Sequence, residues 1–133
     1  MPHLTIYRRN KPNLDIENPN PEQVIQGVEE LDGVRATNLQ LTTRAGYLFV
    51  YSSREGRMHL VFTDAGINSG YLIDKTQTSD QVFEFPLENG AVDDWSIQET
   101  VSREVARDVA LYFLQNNTLP KGLDWEGNMA DFA

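Results

Sequence analysis

The chain has 133 residues, 40% of them hydrophobic and 23% charged, and it contains no cysteine. That length and balance match one globular domain with its own core and exclude a disordered or low-complexity chain. The missing cysteines exclude a disulfide framework and thiolate metal sites, and they suit a reducing cytoplasm. The N-terminal stretch MPHLTIYRRNKPN lacks the apolar segment a signal peptide needs, and no run approaches the roughly 20 apolar residues of a membrane span. The expectation is a soluble protein, made and kept in the cytoplasm.

Net charge is −9, and it is unevenly placed. Residues 1–63 hold seven Lys/Arg and seven Asp/Glu; residues 64–133 hold four Lys/Arg and thirteen Asp/Glu, and so carry the whole excess. Such a field repels nucleic acid and anionic membranes and attracts basic surfaces. It also serves solubility alone in many acidic domains.

In chain order, Leu4 to Arg8 reads as a strand, with Leu4 and Ile6 alternating against Thr5 and Tyr7. Asn10 to Asn20, with Pro12, Pro19 and four Asn, reads as a loop. A helix follows. Asn20 suits its N-cap, Pro21 its first turn and Gln23 a capping box, and Val24, Ile25, Val28 and Leu31 share one face. Asp32-Gly33 ends it, and Gly27 inside it marks close packing on a sheet.

Thr37–Thr43, Tyr47–Ser52 and Met58–Thr63 then form a meander, turning at Arg44-Ala45-Gly46 and Arg54-Glu55-Gly56. Turns this short imply antiparallel neighbours. Leu48 and Val50 fall on one side of the middle strand and Tyr47, Phe49 and Tyr51 on the other. Both sides are apolar, as in a strand covered on both faces or one presenting an aromatic patch to a partner.

Gly70–Asp74 and Gln81–Phe85 are further strands, the latter with Val82, Phe83 and Phe85 inward; Glu88-Asn89-Gly90 turns the chain, and part of Ala91–Ile97 is strand. A second helix spans Ser102 to Leu114, capped by Ser102 or Thr100. Val101, Val105, Val109, Tyr112 and Phe113 form its apolar stripe, and Asn116-Asn117 ends it. Leu119 to Trp125 is an irregular arm packing back on the domain, and Gly127 to Ala133 is frayed. The fold class is therefore α+β: two layers, a largely antiparallel sheet of five to seven strands, and two helices on one face.

No catalytic pattern emerges. His3 and His59 are the two histidines, neither with a second at ligand spacing, and His59 reads as an ordinary strand residue rather than a general base. The serines lack a nucleophile elbow, and no phosphate-binding glycine loop is present. Asp64 to Gly70 holds too few oxygen ligands for a calcium loop and reads as a turn. The adjacent Asp93-Asp94 pair reads as solvated surface rather than an acid–base couple. Arg8, Arg9 and Lys11 form the one basic cluster, too small a footprint for nucleic acid. The residues point to a binding module with no cofactor and no metal.

The stretch VARDVALYFLQNNTLPKGLDW, Val105 to Trp125, narrows this. A helix ending in Phe113-Leu114, a short polar turn, Leu119-Pro120 and then Trp125 resembles the first-numbered family of immunity proteins in bacterial polymorphic toxin systems. Leu31-Asp32-Gly33, the strand Asn38-Leu39-Gln40-Leu41, the Tyr-Leu-Phe-Val strand and Gly56-Arg57 followed by Leu60-Val61-Phe62 fit in the same order, so the likeness spans roughly residues 21–126. Asn117 stands where that family often has glycine, a mild departure because asparagine also tolerates left-handed geometry. In that reading Trp125 fills the core. The resemblance implies a cytoplasmic inhibitor that neutralises a cognate toxin domain, often a nucleic-acid deaminase or another nucleic-acid-directed enzyme. A basic toxin cleft is the expected partner, and the protein a monomer or weak homodimer with neither nucleic acid nor membrane as ligand. Charge and expected exposure select Asp74, Asp80, Glu84, Glu88, Asp93 and Asp94 as partner-binding residues, with Trp95 as an aromatic anchor. The competing readings are a general adaptor domain without a toxin partner, and a small enzyme with a pocket around His59.

Overall fold

The computed structural model describes residues 2–64 and 68–127. Its framework is a seven-stranded antiparallel sheet built from β1 (His3–Arg8), β2 (Leu14–Glu17), β3 (Ala36–Thr43), β4 (Gly46–Ser52), β5 (Met58–Thr63), β6 (Ser69–Ile73) and β9 (Asp124–Gly127). Across the sheet these run in the order β2-β1-β3-β4-β5-β6-β9. Helices α1 (Pro21–Glu30) and α2 (Arg103–Asn116) pack on each other and on one face of the sheet. A separate two-stranded hairpin, β7 (Val82–Pro86) and β8 (Val92–Ser96), lies on the opposite face. The two-layer α+β class follows, with this hairpin as an addition.

Strand alternation sorts the sheet's two faces. Leu4, Ile6, Leu39, Leu41, Leu48, Val50, Leu60, Phe62 and Leu72 point toward the helices and are buried. They meet Val24, Val28 and Leu31 of α1 and Ala106, Val109, Ala110 and Phe113 of α2. Gly27 sits where α1 presses on the sheet: a Cβ there would meet Ile6 Cδ1 at 3.2 Å.

The helix ends follow their sequence signals. Asn20 Oδ1 accepts from the Gln23 backbone N–H at 2.8 Å, and Gln23 Oε1 accepts from the Asn20 N–H at 3.0 Å, a complete capping box. Ser102 caps α2, and Asn117 closes it in the left-handed conformation at φ 55°. Asn117 also ties α2 to the sheet, its Oδ1 accepting from the Ala45 N–H at 3.1 Å.

Three expectations are corrected. The loop assigned to Asn10–Asn20 contains β2, paired with β1 from His3↔Glu17 to Ile6↔Leu14. Pro12 and Pro19 lie outside this strand, so they do not remove ladder donors, and Leu14 and Ile16 lean on the core. The C-terminal arm is irregular only to Leu123; β9 then adds to β6, with Trp125 opposite Leu72 and half-buried against the core. Val82 faces outward, 57% exposed, because a strand buries one alternate set, and Phe83 and Phe85 take the inner side. Residues 65–67, within the stretch 64–70 expected to turn, and residues 128–133, expected to fray, lie outside the described residues. Among the described residues no helix is long and apolar enough to cross a membrane.

Candidate functional site

The face of the sheet away from the helices carries the distinctive surface. Tyr47, Phe49 and Tyr51 of β4 form a stripe along it, with successive ring centroids 6.4 and 6.3 Å apart and ring planes within 23°. Cross-strand register continues the row from Tyr51 to His59 of β5. The β7–β8 hairpin covers this end of the stripe. Trp95 stacks on His59 with centroids 3.9 Å apart and planes 14° apart, Phe85 meets the same ring edge-on at 6.1 Å, and Tyr71 of β6 packs on both His59 and Trp95. The other end is left open: Tyr47 is 40% exposed and Phe49 is half-buried.

His59 is the keystone of this attachment. It is 1% exposed, and its Nδ1–H donates to the Glu99 carbonyl at 2.8 Å, which leaves Nε2 without a partner. Glu99 belongs to a single 3-10 turn, Ile97–Glu99, and its carboxylate accepts from the Ser96 N–H and hydroxyl, both at 3.0 Å. The chain leaving the hairpin is thereby fixed before Val101 pairs with Met58 and α2 begins. Five surface depressions of 220 to 320 Å³ are lined by residues other than His59. The buried ring is positioned to hold the hairpin.

Burial holds the His59 pKa below its ordinary 6.5, and the Glu99 carbonyl bond and the charges of Glu99 and Asp93 offset this in part. The titratable groups around it are Tyr51, Tyr71, Glu99 and Asp93. The unfolded chain therefore takes up a proton on this residue before the folded one does. The stabilisation is fully present above about pH 6.5 and drains away as pH falls from there toward the folded pKa. Asp15, Asp32 and Asp74, whose pKa values are lowered, lose their contribution only further down, in the carboxylate range. Urea unfolding should show a midpoint that drops between pH 7 and pH 5.5, with a slope of at most about 1.4 kcal/mol per pH unit from one group. In His59→Gln that slope should flatten; an unchanged slope in the variant would assign the effect elsewhere.

The hairpin is acidic. Asp80 precedes it, Glu84 and Asp94 stand directly opposite each other across its two strands, and Glu88 lies in its turn. Asp93 is opposite Phe85. All five are exposed, and among the described residues none is in an ion pair. Like charges directly opposed across strands destabilise a hairpin, so the Glu84–Asp94 pair costs the isolated protein something. Val82 and Val92, 57% and 53% exposed, add apolar area to the same hairpin. Glu88 and Asp93 also act on the stripe. Burial pushes the Tyr51 phenol up to about 12, and the charges of Glu88 and Asp93 and the neighbouring Tyr7 add to the rise.

No family model and no curated protein matches the chain.

The seven residues selected from sequence divide into three groups. Asp80, Glu84, Glu88, Asp93 and Asp94 come together on or beside the hairpin. Asp74 is separate: its carboxylate accepts from the Thr76 hydroxyl at 2.6 Å and N–H at 3.0 Å and from Gln77 Nε2 at 3.4 Å, organising the loop after β6. Those hydrogen bonds, the Thr76 hydroxyl first, hold its pKa low. Trp95, expected to anchor a partner, is half-buried and lays a ring face on His59, so it anchors the hairpin to the sheet. The exposed aromatic element is Tyr47-x-Phe49-x-Tyr51. Its period-2 spacing is visible in sequence, but the spacing alone does not say which end of the stripe is covered. Among the described residues, no group of three or more His, Asp or Glu is placed to hold a metal ion.

Proposed function

We propose that the chain is an immunity protein that binds and neutralises a cognate bacterial toxin domain acting on nucleic acid, with the acidic hairpin as its contact surface. The observation that carries this reading is the hairpin: five exposed carboxylates without cationic partners among the described residues, two of them directly opposed, on a small element fixed over an aromatic sheet face. Carboxylates that repel one another in the free protein gain when a cationic surface arrives, and their field steers that surface toward them. An enzyme acting on nucleic acid presents such a surface in its substrate path, so one interface both binds and blocks. The resemblance of the Phe113–Trp125 tail and the upstream strands to the immunity family supports the same reading. Neutralisation by occlusion asks no chemistry of the inhibitor. The direct test is co-expression with any toxin domain that an adjoining gene encodes. Survival of the host and co-purification of a stable complex are expected, whereas death of cells holding both folded proteins would refute the reading and favour an adaptor role.

A further inference from the structure

The open half of the stripe has a chemistry more specific than acidity. In the seven-stranded sheet the one Lys or Arg is Arg8, and its guanidinium reaches Glu30 of α1, with Nε–Oε2 at 2.6 Å and Nη2–Oε1 at 2.8 Å. The sheet's own strands thus supply no cation to the face that carries Tyr47, Phe49 and Tyr51. The nearly parallel rings form a continuous strip at the foot of the hairpin, open at Tyr47 and half-open at Phe49. Asp93 lies on the sheet-facing side of the hairpin with Phe85 and Trp95, which pack on His59, and Glu88 lies in the hairpin's turn, so both carboxylates belong to the element that covers this end of the strip. A strip of π-faces that leads to two carboxylates matches one side chain best. Arginine is planar, stacks on aromatic rings and offers several N–H donors to carboxylates. Lysine offers a compact, strongly hydrated charge and gains less from the rings.

We propose that this strip is a seat for an arginine of the basic partner, the side chain lying along Phe49 and Tyr51 and its guanidinium meeting Glu88 and Asp93. The partner's identity as a toxin rests on the proposed function above; the preference for arginine does not. The seat also supplies the anchor that Trp95 does not: a guanidinium held between rings and carboxylates away from water is the kind of contact that dominates an interface.

The test is a nuclear magnetic resonance titration of the full chain with capped Gly-Arg-Gly, capped Gly-Lys-Gly and the neutral citrulline analogue. Saturable shifts are expected at Tyr47, Phe49, Tyr51, Glu88 and Asp93 with the arginine peptide, together with upfield ring-current shifts of its side-chain protons. The lysine peptide should bind at least about threefold more weakly and the citrulline peptide not measurably. Phe49→Leu, which keeps an apolar side chain, should abolish the ring-current shifts. Glu88→Gln should weaken binding severalfold while the rings remain. Equal shifts from arginine and lysine spread over all the acidic residues, an unaltered response in Phe49→Leu, or no saturable shift on this face would each overturn the proposal. Arginine binding here without rescue from the toxin would leave the seat standing and remove the immunity reading. Rescue without arginine binding would do the reverse.

Discussion

Phe113→Ala should cost about 3–5 kcal/mol of folding stability, the usual range for a fully buried phenylalanine cut to alanine. Phe113 is 0% exposed and meets Phe62 of β5 edge-on at 5.6 Å, so it joins α2 to the middle of the sheet. Val109, Ala110 and Leu119 are buried in the same cluster, so the truncation leaves its gap inside the packed core. Against a typical domain stability of about 5–15 kcal/mol, the loss removes a fifth or more and lowers the melting temperature by about 10–20 °C. Tyr112→Ala is the matched control. Tyr112 precedes it in the helix but is 38% exposed, and its loss should cost about 1 kcal/mol or less. Equal losses for the two would mean that α2 is rotated from the orientation described. Thermal and urea unfolding followed by circular dichroism measure both.

Glu84→Lys should move stability and binding in opposite directions. In the free protein it replaces a like-charged pair with an ammonium group facing Asp94 across the hairpin. Opposite charges at such a position contribute about 0.2–1 kcal/mol, so the hairpin should become slightly firmer. Against a cationic partner the same change removes an attraction and adds a repulsion. Affinity for the proposed toxin partner should fall by about tenfold to a hundredfold at low ionic strength, mostly through slower association, and the deficit should shrink as salt is added. Calorimetry at two salt concentrations, beside an unfolding curve of the variant alone, separates the two effects. A fall in both quantities would point to a structural role for Glu84. No change in affinity would remove the hairpin from the interface.

The fold was legible wherever local chemistry and periodicity agreed. Asn20, Pro21 and Gln23 announce the start of α1, Asn117 announces the end of α2, and the 3.6-residue stripe through Val109 and Phe113 orients that helix. The meander β3-β4-β5 followed from turns and alternation. Legibility failed where an element's partner is distant or its signal is short. Leu14-Asp15-Ile16-Glu17 alternates for four residues only, flanked by prolines, and becomes a strand because β1 offers it an edge. Asp124–Gly127 becomes a strand because β6 does.

The candidate site was half legible. The acidic residues were identifiable from charge, and five of the seven selected residues do converge. Which aromatic residues would be taken up inside was not identifiable, because the stacking of Trp95 on His59 joins β8 to β5 across 36 positions of sequence. Sequence treats both as isolated strand residues. Folding makes them the fastening of the hairpin, and it leaves Tyr47 and Phe49 as the open aromatic surface.

The central claim is that the hairpin and the open sheet face beside it meet the partner. Amide hydrogen exchange of the purified complex with the proposed toxin partner, compared with the free protein, tests this most directly. Protection on binding should fall on residues 80–96 and on β4, with α1 and α2 unchanged. Protection confined to the two helices, with residues 80–96 exchanging as in the free protein, would contradict it.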